Sequence, residues 1–84
     1  MRYVKIKDTY FNPMRIDRIE PDVDFTSGFH KPVVRVHTPG WMFTYDAFDL
    51  GFDVPRCDEK WEALGIADAM VENVIKELEL SLAQ

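Results

Sequence analysis

The feature that most constrains this chain is a stripe of apolar residues in its C-terminal third. Projected at about 100° per residue, the stripe occupies an arc of roughly 140°. Its members are Leu64, Ala67, Met70, Val71, Val74, Ile75, Leu78 and Leu82. The charged residues of the same segment fall outside this arc. The spacing therefore predicts an amphipathic helix whose apolar face must be buried against another part of the chain.

Two large apolar residues do not fit this helical phase. Trp61 and Ile66 would point away from the stripe if one straight helix ran through them, and Gly65 lies between them. Glycine is a common residue at helix ends, and Asp58 is a suitable N-cap. We therefore predict a short helix over 58–64 and a second helix over 66–82. Leu80 falls on the polar side whether the segment forms one helix or two, and it is a candidate oligomer contact there.

A β-hairpin is predicted over residues 33–46. Residues 33–37 are rich in valine, Thr38-Pro39-Gly40 forms a tight turn, and residues 41–46 alternate in character. The second strand places three aromatic residues on one face, namely Trp41, Phe43 and Tyr45.

Other segments are less regular. Residues 2–7 alternate as a strand does, and Asn12-Pro13 favours a type I turn. Residues 21–32 contain Pro21, Gly28 and Pro32, so we predict a loop or a wide hairpin connection there. Residues 47–57 are expected to be irregular.

The strands precede the helices, which is typical of the α+β class. We predict a three- or four-stranded antiparallel sheet with the C-terminal helix packed on one face, preceded by a short helix. Because 84 residues can bury one core, we expect residues 1–84 to form a single domain. Its parts are 1–46, mainly β, then 47–57, irregular, and 58–82, helical.

The net charge of −5 lies entirely in residues 58–84, since residues 1–57 carry eight acidic and eight basic side chains. An acidic surface repels phosphates and favours a protein partner with a basic surface. The N-terminus has no apolar signal-peptide core, and no apolar stretch approaches the ~20 residues needed to span a bilayer. Cys57 is the single cysteine. These observations predict a cytoplasmic protein that does not bind membranes.

Little in the sequence indicates catalysis or metal binding. The possible ligands are His30, His37, Cys57, Asp46, Asp49 and Asp53, and no pair has the close spacing of a zinc site. The cysteine has no neighbouring base that would generate a thiolate. We therefore expect no enzyme activity, no metal and no cofactor.

The aromatic strand face is also a candidate for nucleic-acid binding. Trp41, Phe43 and Tyr45 resemble a base-stacking platform, although a sheet packed on a helix also needs such a face for its core. The acidic net charge argues against nucleic acid. Whether these residues form a core or a binding face stays open from the sequence.

Two functional hypotheses follow. The first is a small acidic binding protein, an accessory or inhibitory module such as a phage-type modulator of a host or defence protein. Its candidate contact residues are Phe48, Leu50, Phe52, Asp49, Asp53, Trp61 and Leu80. The alternative is a homo-oligomer that sequesters a small anionic ligand, such as a nucleotide, between subunits. The residues expected to bind that ligand are Arg2, Lys5, Lys7, Arg35 and His37.

Overall fold

A computed structural model describes residues 3–26 and 28–83, with the side chains of Thr26 and of residues 81–83 left undescribed. The elements are β1 (Val4–Ile6), β2 (Thr9–Phe11), a 3₁₀ turn (Pro13–Arg15), β3 (Arg18–Thr26), β4 (Phe29–Thr38), β5 (Trp41–Asp46) and α1 (Lys60–Ala83). The predicted α+β class, with antiparallel strands and a C-terminal helix, is confirmed.

The five strands form two antiparallel units instead of one sheet. Strands β3, β4 and β5 form a three-stranded sheet in that order, and among the described residues β1 pairs with β2 alone, in a separate hairpin. In the central register, Val34 of β4 faces Pro21 of β3 and Tyr45 of β5. The hairpin and the helix contribute to the same core as this sheet.

Of the two alternatives predicted for residues 21–32, the loop is wrong, and the segment forms the end of an antiparallel hairpin whose strands stay paired as far as Thr26↔Phe29. Strands β3 and β4 run through this segment and tolerate both of its prolines. Pro21 lies on an edge strand, and Pro32 lies just beyond Val33↔Asp46, the last β4–β5 pair. Neither position needs a proline N–H for the sheet, which is where strands accept proline. The β4–β5 turn is also tighter than predicted, because Thr38 pairs with Trp41 and leaves two residues, ending in Gly40 at φ 78°.

The predicted helix break at Gly65 is also wrong. One continuous helix begins at Lys60, and the additional short helix of the fold is the 3₁₀ turn at Pro13–Arg15. Glycine inside a helix costs about 1 kcal/mol relative to alanine. Ala63 and Ala67 on either side of Gly65 are fully buried, and we infer that this packing outweighs the cost.

The buried face of α1 is rotated from the predicted stripe. It consists of Ala63, Ala67, Met70, Val71, Val74 and Leu78. Leu64 and Ile75, predicted inside the stripe, are 37% and 38% exposed, whereas Ile66 packs against the core. The alanines allow the helix to lie close to β3 and β4. The Leu82 side chain lies outside the described part of the chain. No helix of the described residues combines the length and the apolar character required to cross a membrane.

The aromatic strand face divides between core and surface. Tyr45 is buried and Phe43 packs against the core, but Trp41 is 67% exposed. Phe11 of β2 packs against the two inward-facing rings, with centroid distances of 4.9 Å to the partly buried Phe43 and 6.4 Å to the buried Tyr45. The β1–β2 hairpin therefore packs over the β5 side of the sheet, while α1 contacts β3 and β4.

Introducing a carboxylate on the buried face or on the exposed face of α1 should have different effects on folding. Val74→Asp is expected to prevent stable folding, because an unpaired carboxylate would enter the core. The matched variant Leu80→Asp changes a half-exposed residue, and we expect it to alter the free energy of unfolding by less than about 0.5 kcal/mol. Urea denaturation followed by circular dichroism measures both effects. Loss of folding in Leu80→Asp would contradict this placement of the helix.

Candidate functional site

A tight turn after β5 presents one aromatic ring to solvent. The Asp46 N–H donates to Asp49 Oδ2 at 3.1 Å, and the Asp49 N–H donates to Asp46 Oδ1 at 2.8 Å. The Phe52 N–H closes the turn on the Ala47 carbonyl at 2.8 Å. These reciprocal bonds resemble a helix capping box. They hold the backbone so that Phe48 is 88% exposed at the crest of the turn.

Beside this turn lies a groove of about 640 Å³. Its apolar lining includes Phe29, Pro32, Phe52 and Val54, with Phe48 at its margin. A volume of this size lies within the range of ligand-binding clefts, about 300–1,000 Å³. The groove can accommodate an apolar group from a binding partner.

The opposite wall of the groove is attached to the start of β4. The His30 N–H donates to the Cys57 carbonyl at 2.9 Å, and His30 Nδ1 donates to the Asp58 carbonyl at 3.1 Å. The Arg56 guanidinium lies 4.7 Å from the centre of the Phe29 ring. Both walls are therefore held by specific bonds, and the groove exists before any partner arrives.

The Cys57 thiol is part of this wall, and its surroundings make it unreactive. It is 2% exposed, and its Sγ lies 3.5 Å from the Pro55 carbonyl as a donor. Burial raises the pKa of the thiol, and the nearby carboxylates of Glu62 and Asp58 raise it further. A thiol with a raised pKa is a poor nucleophile at neutral pH.

Charged groups surround the apolar lining. Lys31 Nζ pairs with Asp46 Oδ2 at 3.0 Å. Burial by itself raises the pKa of Asp46, but the Asp49 N–H and Lys31 outweigh it, so the pKa of Asp46 is lowered. Asp53 and Asp58 are exposed. The margin therefore presents the carboxylates of Asp53 and Asp58 to an approaching partner, beside the Arg56 guanidinium that also lines the groove.

The predicted contact residues do not form one patch. Phe48, Phe52 and Asp53 line the groove, while Leu50 packs against the core. Asp49 is hydrogen-bonded to Asp46 within the turn. Trp61 and Leu80 are exposed, but at 1.5 Å per residue they lie about 29 Å apart along the helix.

Arg35, a candidate for binding an anionic ligand, is occupied by acidic residues on the outer face of the sheet. Its Nε donates to Asp22 Oδ2 at 2.7 Å, its Nη2 to Asp24 Oδ1 at 2.8 Å and its Nη1 to Thr44 Oγ1 at 2.8 Å. On the same face His37 Nε2 lies 2.7 Å from Glu20 Oε1. These basic groups are held by the protein's own carboxylates.

The other candidate ligand-binding residues are distributed elsewhere. Lys7 occupies the β1–β2 turn with φ 54°, a left-handed conformation that is uncommon for residues other than glycine. Its Nζ pairs with Asp49 Oδ1 at 2.8 Å, and this bond raises the pKa of Lys7. Lys5 lies 5.6 Å from the Tyr10 ring centre, and Arg2 lies outside the described residues. The structure does not bring Lys5 or Lys7 together with Arg35 and His37.

Within residues 3–26 and 28–83, no group of three or more His, Cys, Asp or Glu side chains is arranged to hold a metal ion. Phe29 and Pro32 are groove residues that were not predicted, because the composition of 21–32 indicates a loop or a wide hairpin connection and gives no sign of which side chains face the groove. Pro32, Val34 and Val36 are apolar at every second position of β4. This spacing is the sequence signal that would have predicted a longer strand.

No protein-family model matches the chain, and neither a curated protein nor a solved structure shows significant similarity to it.

The outer-face network predicts a pH dependence of stability. The hydrogen bond from Arg35, together with the Val23 N–H, holds the pKa of Asp22 below its ordinary value. A lowered folded-state pKa stabilises the protein above the unfolded-state pKa, and the stabilisation is lost as pH falls through the folded-state value. We therefore expect the melting temperature to fall from about pH 5 to about pH 3, with a shallower slope in Asp22→Asn. Thermal melts measure the slopes.

The control for this experiment is Asp68→Asn, which removes an exposed carboxylate of the helix outside this network. It should keep the wild-type slope. Equal slopes in wild type and Asp22→Asn would contradict the role of the Arg35–Asp22 pair.

Proposed function

We propose that this chain is a non-enzymatic binding module that acts by protein–protein contact at the groove beside Phe48. The observation that carries the proposal is the 88% exposure of Phe48 at the margin of a preformed apolar groove. An exposed aromatic ring has no benefit for folding, whereas its burial in a complex contributes about 2 kcal/mol. Buried aromatic anchors commonly dominate the energetics of protein interfaces.

The chemistry of the margin favours a partner with basic groups. Asp53 and Asp58 are exposed beside the groove, and the acidic helix begins immediately after its wall at Lys60. The expected partner presents an apolar side chain to the groove and Lys or Arg residues to these carboxylates. Electrostatic complementarity of this kind selects the partner and accelerates association.

The state of the polar groups supports binding over catalysis. The Lys31 ammonium is paired with Asp46, the His30 ring donates to a backbone carbonyl, and the Cys57 thiol is buried. Because both walls are fixed, association would require little ordering of the chain. An accessory or inhibitory module of a larger cytoplasmic protein, including a phage-type modulator, would act by covering a basic surface in this way.

A random peptide library displayed on a surface tests the proposal without knowledge of the natural partner. Selection against the full chain should enrich peptides that carry an apolar residue flanked by Lys or Arg. Phe48→Ser should weaken these peptides by at least about tenfold, which corresponds to ~1.4 kcal/mol. Fluorescence anisotropy of a labelled selected peptide measures the change.

Met14→Ser is the matched control, because Met14 is also exposed, at 74%, and does not line the groove. It should leave the affinity unchanged. Selected peptides that bind Phe48→Ser as tightly as wild type, or that show no preference for basic residues, would rule out the groove as the contact surface for this partner chemistry.

A further inference from the structure

The two edges of the three-stranded sheet differ in how they are protected. On the β3 edge, Pro21 has no N–H, and the Val23 N–H donates to Asp22 Oδ1 at 2.8 Å instead of to another strand. Proline and side-chain capping are devices that prevent an edge strand from pairing with a second chain. Strand β3 is therefore blocked along the middle of its outer edge.

The β5 edge has no comparable protection over its central residues. Asp46 directs its N–H away from β4, to Asp49, and N–H direction alternates along a strand. Met42 and Thr44 therefore also direct their N–H groups outward. Among the described residues, β5 has β4 as its single strand partner, and Trp41 to Tyr45 contains neither proline nor a charged residue.

Exposed aromatic residues gather at this open edge. Tyr3 and Tyr10 line a cleft of about 390 Å³ together with Phe43, and the Trp41 ring centre lies 6.3 Å from that of Phe43. Tyr3, Tyr10 and Trp41 are each more than three-fifths exposed. Apolar surface of this extent beside an open strand is typical of an interface.

We propose that β5 pairs with β5 of a second copy of this chain, antiparallel and centred on Phe43, to form a continuous six-stranded sheet. In this register the Met42 and Thr44 N–H groups donate to the carbonyls of Thr44 and Met42 in the partner. A register centred one residue later would use the Asp46 N–H, which Asp49 already occupies. The pairing at Phe43 therefore uses two outward N–H groups from each copy and avoids the Asp46 N–H.

Charge favours a second copy at this edge. The paired segment is uncharged, so no like charges meet in the new ladder. The whole net charge of −5 lies in residues 58–84, and α1 packs over β3 and β4. Pairing at β5 joins the two copies at the strand farthest from β3 and directs their acidic helices apart.

The exposed aromatic rings at this edge supply a large part of the surface area that a stable dimer interface buries. An aromatic side chain buries about 150–250 Å², and about two-thirds of each ring is available at these three positions. Covering three rings from each copy removes on the order of 600–1,000 Å² of surface. The paired backbone and Met42 add to this, and stable interfaces begin near about 1,200 Å².

Sedimentation equilibrium of the full chain tests the proposal. We expect a concentration-dependent species of twice the 9.8 kDa chain mass. Met42→Lys should raise the dimer dissociation constant at least about tenfold, because a charge would enter the ladder. Met42→Pro, which removes the outward N–H without adding charge, should do the same. Circular dichroism verifies that both variants are folded.

The competing interface is the exposed helix residue Leu80, and Leu80→Lys should leave the dimer intact. Hydrogen exchange of the unmodified chain provides a second readout, in which the Met42 and Thr44 amides become more protected as concentration rises while Val23 does not change. A single 9.8 kDa species up to about 1 mM would overturn the proposal. Dissociation by Leu80→Lys alone, or unchanged protection of Met42 and Thr44, would also overturn it. None of these measurements involves the groove beside Phe48.

Discussion

The packing of helix α1 on the central strand β4 is the interaction on which the rest of the structure depends. Met70 on the helix and Val34 and Val36 on the strand are completely buried, and side chains of this size contribute about 1.5–3 kcal/mol each when buried. A chain of 84 residues can build one such core. The remaining strands and the β1–β2 hairpin pack around this contact.

The main hydrophobic core lies on one face of the three-stranded sheet, and this placement determines which parts of the sheet are covered and which are exposed. The helix covers β3 and β4, and the β1–β2 hairpin covers β5 through Phe11. The opposite face carries ion pairs centred on Arg35, which leaves little positive charge for an external anion. Exposed aromatic rings lie at several separate places, with Phe48 beside the groove, Trp41 at the β5 edge, and Phe25 and Trp61 on β3 and α1.

The sequence predicted the class and the order of elements because apolar periodicity reflects burial directly. It failed at Gly65, where we infer that packing of Ala63 and Ala67 overrides a local helix-ending preference. Over residues 21–32 it left a loop and a hairpin connection open, because two prolines lie at sheet positions that need no N–H. The mixture of apolar and acidic residues after β5 indicates Phe48, Phe52 and Asp53 as contact residues, and the structure places these three in one groove. The opposite wall depends on the His30–Cys57 pairing, a contact between distant segments that spacing along the chain does not encode.

The central claim is that α1 and β4 form the rigid core, while the segment that carries Phe48 is a surface available for binding. Residue-by-residue amide hydrogen exchange tests this most directly. We expect the slowest exchange in β4 and in an unbroken stretch of α1 around Gly65, with faster exchange at Phe48, Asp53 and Val54. A gap in protection at Gly65, or protection at these three residues equal to that of β4, would contradict the claim.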